Sequence, residues 1–233
     1  MVAESLSALA NRPKVQQPVK THDHKLSDTQ RTAVDASLGT HLLVLTGGPG
    51  TGKTTTVRAI VAAHAALERR VALCAPTGRA AKRLSEAAGV EAKTIHRLLE
   101  WNPATGHFNR NQRLPLEADL VLVDEASMLD IRLASQLLAA IPLHATLVLV
   151  GDIDQLPPVG PGQPLRDLIA SRICKTIRLH EVFRQAQQSA IVRGAHSVLE
   201  GGMPEPTPTG VKGDGDLFLI SATDPETITN RLE

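Results

Sequence analysis

A run of apolar residues, Leu42-Leu43-Val44-Leu45, leads directly into Thr46-Gly47-Gly48-Pro49-Gly50-Thr51-Gly52-Lys53-Thr54-Thr55. The spacing Gly47-x4-Gly52-Lys53-Thr54 constrains the fold more than any other feature of the chain. Its glycines let backbone N–H groups curl around phosphate, and the start of a helix near Lys53 adds a positive end. On this reading Gly48, Pro49, Gly50, Thr51, Gly52 and Thr55 form the cradle of a nucleoside triphosphate, Lys53 reaches the β- and γ-phosphates, and Thr54 offers a hydroxyl to Mg2+. A plain glycine-rich turn is the rival reading. It leaves unexplained why an apolar run precedes the loop and a helical pattern follows it.

That order of elements repeats. "VALCAP" from Val71, "LVLVDE" from Leu120 and "TLVLVGD" from Thr146 have the continuous apolar character of strands buried on both faces. Helical patterns lie between them at Lys53 to Glu68, Gly78 to Ala88, Thr94 to Leu99 and Met128 to Ala140. The fold class expected is therefore α/β, a parallel sheet flanked by helices, with ligands at the carboxyl ends of the strands. A further helix is expected to open at Ser27, an N-cap with Gln30 at the capping-box position.

Chemistry-bearing residues follow the strands. Asp124 and Glu125 close one strand, where the first carboxylate suits Mg2+ and the second suits the activation of water. After the next strand comes "GDIDQLPPVGPGQ", in which Gln155 has both a donor and an acceptor to offer a γ-phosphate or an attacking water. In "LHEVFRQ", Arg184 is placed either to stabilise charge on a transferring phosphoryl group or to form a surface ion pair. Between Arg79 and Arg113 seven basic residues stand against three acidic ones, which suits either a solvated face or a polyanion. "EWNPATGHFNRN" reads as a small hairpin in which Asn102 pairs with His107 and Trp101 faces Phe108.

With 233 residues, 42% of them hydrophobic, the chain can bury a sizeable core. No apolar run reaches the roughly 18 residues of a membrane span, so a cytoplasmic location is expected. Cys74 and Cys174 fit no metal or redox spacing and read as reduced, buried thiols. Residues 11 to 25 read as a linker, with a flexible polar segment favoured over metal binding for His22-Asp23-His24. The net charge of +1 neither demands nor excludes a polyanionic partner.

Taken in order, "LSDTQ", "GGPGTGKTTT", "APTGRAAKRL", "TIH", "VDEAS", "GDIDQLPPVGPGQ" and "LHEVFRQ" resemble the motifs of superfamily 1 DNA helicases. The resemblance is to the RecD-like branch, which moves 5′ to 3′ and includes the exonuclease V alpha subunit and stand-alone bacterial relatives. It implies a RecA-like motor domain that hydrolyses ATP with Mg2+ and acts on single-stranded and 5′-tailed duplex DNA in the bacterial cytoplasm or nucleoid. It further implies that Gln30 reads adenine, Lys53 and Thr54 bind phosphate and metal, Asp124 holds Mg2+, Glu125 is the base, and Gln155 and Arg184 sense the γ-phosphate. By the same resemblance Thr77, Arg79, Thr94 and His96 hold the strand's backbone, and Pro158 and Val159 touch bases or sugars. The Trp101–Phe108 hairpin then becomes either the branch's duplex-separating pin or a local aromatic clasp.

This family works with two motor domains. The expected organisation is an N-terminal segment and linker over 1–25, a first motor domain over 26–202 with an inserted hairpin at 100–113, and a linker with the start of a second motor domain over 203–233. A strand at "LFLI" and a helix opened by Thr223 and unfinished at Glu233 fit a stretch of a longer protein. Two other functions compete with the helicase: a small-molecule P-loop kinase, and a nucleotide-gated binding module that hydrolyses little. The "VDEAS" and "GDIDQ" motifs argue against the kinase.

Overall fold

The computed structural model describes residues 2–11, 26–182, 189–207 and 215–218. Its centre is a six-stranded parallel sheet in the order β3-β2-β6-β7-β1-β8. The strands are β1 (Leu42–Gly47), β2 (Val71–Ala75), β3 (Ala92–Thr94), β6 (Leu120–Val123), β7 (Thr146–Gly151) and β8 (Lys175–Leu179). Every residue of β1, β6 and β7 is buried, which is why these segments read as unbroken apolar runs.

Alternation along each strand divides the core into two layers. Leu42 and Val44 face one layer, whose helical cover includes α6 (Ile131–Ala140) and α7 (Pro164–Ser171). Leu43 and Leu45 face the other, under α2 (Asp28–Gly39), α3 (Lys53–Ala65) and α4 (Gly78–Ala88). Each fully buried Leu or Ile contributes roughly 1.5–3 kcal/mol of burial, so both faces of the sheet are held.

Several boundaries differ from the sequence reading. The helix α3 stops at Ala65 rather than Glu68, because Glu68 is left-handed at φ 55° and the His64 carbonyl takes the N–H groups of Leu67 and Arg69. The helix expected from Met128 begins at Ile131, where Asp130 caps Leu133 N–H at 2.7 Å; before it lies only a 3-10 turn, Ala126–Met128. The helix expected over Thr94 to Leu99 is the short α5 (Ile95–Leu98), and β3 precedes it. An unforeseen helix, α1 (Val2–Ala10), buries Leu6 and Leu9 in the layer that holds α6. Cys74 is buried, with its thiol pushed up to about 12 by loss of water. Cys174 is only half-buried, a correction to the expectation of two buried thiols. The linker histidines His22 and His24 lie outside the described residues.

The inserted hairpin pairs β4 (Trp101–Asn102) with β5 (His107–Phe108) in the expected register, Trp101 with Phe108 and Asn102 with His107. Gly106 closes its loop at φ 68°, donating to the Asn102 carbonyl at 2.9 Å. Residues up to Glu181 form one compact unit and those from Val182 another. Within the second unit, α8 (Ala190–Leu199) starts at Ser189, and the Asp216 carboxylate accepts from Ala190 N–H at 2.7 Å. Leu217 and Phe218 do not form the expected strand; Leu217 makes a backbone bond to Thr207, with no strand ladder beside it among the described residues. The helix expected from Thr223 lies outside those residues.

His64 is an unforeseen polar anchor, 0% exposed at the end of α3. The Ser37 hydroxyl donates to the Val34 carbonyl at 2.7 Å, so His64 Nε2–H donates to Ser37 Oγ at 3.3 Å while Nδ1 accepts from Arg69 Nη1 at 3.4 Å. Burial, and secondarily the Arg69 charge, lower its pKa from 6.5 to about 4. Between those values the unfolded chain binds a proton that the folded one does not, so stability is full above pH 6.5 and falls as pH drops toward 4. The loss attributable to this group is on the order of 3 kcal/mol. Urea unfolding of wild type and His64→Gln is expected to show a wild-type advantage near neutral pH that shrinks steadily toward pH 4.5; a constant difference would mean that His64 does not titrate this way.

Candidate nucleotide site

The phosphate loop leaves β1 at Gly47 and becomes α3 at Lys53, with Gly50 and Gly52 left-handed at φ 74° and 81°. These angles suit glycine and turn successive backbone N–H groups toward one side. The first turn of α3 adds N–H groups that have no acceptor within the helix. The loop is braced from inside: Thr51, 3% exposed, donates its hydroxyl to Gly48 O at 2.8 Å. The Lys53 ammonium lies over the loop, donating to Gly47 O at 2.5 Å and Gly48 O at 3.0 Å. Thr54 and Thr55 are exposed.

Gln30 is 1% exposed and joins two pieces of the site. Its Oε1 accepts from Ser27 N–H at 3.0 Å, completing the capping box, and its Nε2 donates to Gly52 O at 3.3 Å. Both ends of the amide therefore serve the chain itself. Each end keeps a second site, one lone pair on Oε1 and one N–H on Nε2.

Two strands away, Asp124 and Glu125 follow β6. Burial raises the Asp124 pKa, opposed by the Glu125 backbone N–H, which donates to Asp124 Oδ1 at 3.0 Å, and by the Lys53 charge. Glu125 sits at φ 52°, left-handed for a residue with a side chain, a conformation held at a cost of order 1–3 kcal/mol and common at functional sites. Its pKa is raised by burial first and then by Asp124, with Asp152 adding to this while Lys53 and Arg83 oppose it. A carboxylate of raised basicity beside a lysine and a second carboxylate is suited to accepting a proton from water.

Sequence reasoning missed Asp152, which is 2% exposed. Its carboxylate accepts from Asp154 N–H at 3.1 Å and from Gln155 Nε2 at 3.4 Å, so it orients the loop and the glutamine together. The signal was the Asp-x-Asp spacing after a strand, which favours a side-chain-to-backbone turn. The loop is further tied to β8 by Arg178 to Asp154 at 3.3 Å. Arg184 lies outside the described residues.

The remaining predicted residues occupy the same strand-end edge. Thr77 caps α4 and accepts from Ala80 N–H at 3.2 Å, while Thr94 caps α5 and accepts from Arg97 N–H at 3.2 Å. Arg79 and His96 are exposed, Val159 is wholly exposed, and Pro158 is half-buried. His96 does not stand apart from the hairpin. Its ring centroid is 5.5 Å from Phe108 and 6.3 Å from Trp101, which themselves lie 4.7 Å apart. The three rings thus lie together, with α5 supplying the third.

A family model described as an AAA domain matches residues 25–209. The chain belongs to the AAA domain family. Among curated proteins, this AAA domain is 47% identical over 179 residues to the ATP-dependent RecD2 DNA helicase of Deinococcus radiodurans, covering 77% of the chain and 24% of the relative. It is 43% identical over 166 residues to the RecBCD enzyme subunit RecD of Mycolicibacterium smegmatis, covering 61% of the chain and 30% of that protein. Among solved structures it resembles the Pif1 helicase from Candida albicans, with 25% identity and a TM-score of 0.56 over 77% of the chain and 45% of that one. The fold is RecA-like, and the chain spans less than a third of the curated relatives' length. No helix among the described residues is long and apolar enough to cross a membrane.

Gly47 tests the loop's geometry. A Cβ there would lie 2.7 Å from Thr51 Oγ1 and 2.8 Å from the Leu179 carbonyl oxygen, and the latter belongs to β8 and cannot rotate away. Gly47→Ala is expected to cost about 1–3 kcal/mol in thermal or urea unfolding and to weaken nucleotide binding. Unchanged stability and affinity would show that the loop has slack.

Proposed function

We propose that this AAA domain is the nucleotide-hydrolysing motor domain of an ATP-dependent 5′→3′ DNA helicase. The observation that carries the reading is the placement of Lys53, Asp124, Glu125 and Gln155 on one edge of the parallel sheet, together with Thr77, Arg79, Thr94 and His96. The RecD2 relative is named an ATP-dependent DNA helicase, and a 25% identical Pif1 helicase shares the fold. A motor must register the nucleotide and its track in one rigid body, and a shared sheet edge supplies that body.

The donor set suits Mg-ATP. Lys53 and the N–H groups of the loop present positive charge to phosphate, while the Thr54 hydroxyl and the Asp124 carboxylate are hard oxygen donors of the kind Mg2+ prefers. When bound, the metal neutralises charge on the phosphates. Glu125 takes the proton of the attacking water, and Gln155, held by Asp152, orients that water or touches the γ-phosphate. Arg184 is assigned the role of stabilising the transferring phosphoryl group. Gln30 links the nucleotide to the cap of α2. The division into a motor domain over 26–202 and a following segment over 203–233 belongs to the same proposal.

On the DNA side, Arg79, Thr77, Thr94 and His96 hold the strand's backbone, Pro158 and Val159 meet bases or sugars, and the hairpin at 100–113 meets the duplex junction. Hydroxyls and cations that contact phosphate make binding indifferent to sequence. Arg79→Ala is expected to weaken single-strand binding equally for unrelated sequences and to reduce the salt slope by about one unit in fluorescence anisotropy. A loss confined to one sequence would replace backbone contact by base readout.

In the whole protein, Glu125→Gln is expected to keep ATP binding while lowering DNA-stimulated hydrolysis by roughly 10²-fold or more. Because the Glu125 carboxyl must be ionised to act and its pKa is raised, the acid limb of wild-type hydrolysis is expected above the ordinary glutamate range. Equal loss of binding and hydrolysis would make Glu125 structural. Unwinding of 5′-tailed but not 3′-tailed duplexes by the whole protein is the measurement that tests polarity.

A further inference from the structure

The aromatic clasp has an open side. Between the base of the hairpin and the outward face of α6 lies a cavity of about 720 Å3, within the roughly 300–1,000 Å3 of small-ligand sites. His96, Trp101 and Phe108 form one wall, and α6 forms the opposite one with the apolar Ile131 and Leu133 and the polar Arg132, Ser135 and Gln136. Trp101 is 43% exposed, so much of its indole is turned to water at the mouth of a concave surface.

We propose that this cavity receives one unpaired nucleobase of the DNA strand held by Thr94 and His96. The inference rests on the DNA reading above and names a contact within it. A flat aromatic ligand fits a slot with an aromatic wall on one side and aliphatic side chains on the other, and base stacking of this kind tolerates any sequence because every base has a π-face. The polar groups suit a base edge: Ser135 and Gln136 each carry a donor and an acceptor and make no side-chain hydrogen bond with the described residues.

Charge at the mouth is also matched. Arg132 is exposed and makes no ion pair with the described residues, leaving a cation for the nucleotide's phosphate. The one acid in the lining, Asp130, is engaged elsewhere: Oδ1 accepts from Leu133 N–H at 2.7 Å, and the carboxylate packs over Gly160, where an added Cβ would meet Oδ2 at 2.0 Å. Its charge is thereby directed to the turn at Gly160.

Trp101 is the sole tryptophan of the 233-residue sequence and reports on the cavity directly. The chain is titrated with oligothymidylate and with an abasic strand of equal length, following tryptophan emission and, on end-labelled DNA, anisotropy. The expected result is that both strands bind but only oligothymidylate quenches Trp101. Ser135→Phe, which fills the cavity, and Gln136→Phe, at an exposed helical position that leaves the fold intact, are each expected to abolish the quench. Both are expected to bring oligothymidylate affinity down about tenfold, to that of the abasic strand. Equal emission changes with the two strands, or quenching that survives in either folded variant, would overturn the base site while leaving the helicase reading in place. Failure of both strands to bind would overturn the DNA contacts assigned to this domain and the base site with them.

Discussion

The contact between Gly47 and the carbonyl of Leu179 sets the geometry on which the site depends. Where β1 meets β8, the backbone of one strand approaches the other closely enough to leave no room for a Cβ. This closeness lets the chain leave the sheet and turn at once through Gly50 and Gly52 into α3. Were β1 to end with a side chain, the loop would be pushed off Thr51, whose hydroxyl spans the loop to Gly48 O. Lys53 would then lose the two carbonyls over which its ammonium is held. Phosphate recognition here is a property of backbone packing before it is a property of any side chain.

From that fixed loop the electrostatics spread across the sheet edge. Lys53 is the cation that offsets the burial of both Asp124 and Glu125, and Asp152 presses on Glu125 from the next strand. Three carboxylates and one ammonium thus share a region in which burial opposes ionisation of Asp124 and Glu125. Both carboxyls are raised by burial, and Glu125 is raised further by Asp124 and Asp152, which suits it to accept a proton. The left-handed backbone at Glu125 is consistent with this, since it turns the chain sharply out of β6 and into the 3-10 turn that follows.

Much of this was legible because parallel sheets bury whole strands. β1, β6 and β7 announced themselves as unbroken apolar runs, and Ser27 with Gln30 announced the start of α2. What stayed hidden depends on contacts between distant segments. β3 is three residues long and owes its existence to pairing with β2. The helix α1 has no partner until α6 is folded beneath it, and polar residues such as Asp152 and His64 show their roles only when Gln155 and Ser37 are brought alongside. Gln30 illustrates the limit best: the sequence offers a capping residue and the family resemblance an adenine reader, and the structure spends the amide on the cap and on Gly52 O together.

The start of α6 ties these parts into one body. On one side Ile131 N–H donates to the Pro161 carbonyl at 2.9 Å, and Asp130 lies against Gly160, so the loop that carries Gln155 is pinned to the helix's first turn. On the other side Asp130 and Ile131 line the cavity walled by His96, Trp101 and Phe108. A shift of the Gln155 loop acts on this turn through two neighbours, the Pro161 carbonyl that accepts from Ile131 N–H and Gly160 beside the Asp130 carboxylate. The first turn of α6 therefore holds the Gln155 loop on one side and lines the hairpin's cavity on the other, so the nucleotide edge and the aromatic cluster share one helical turn.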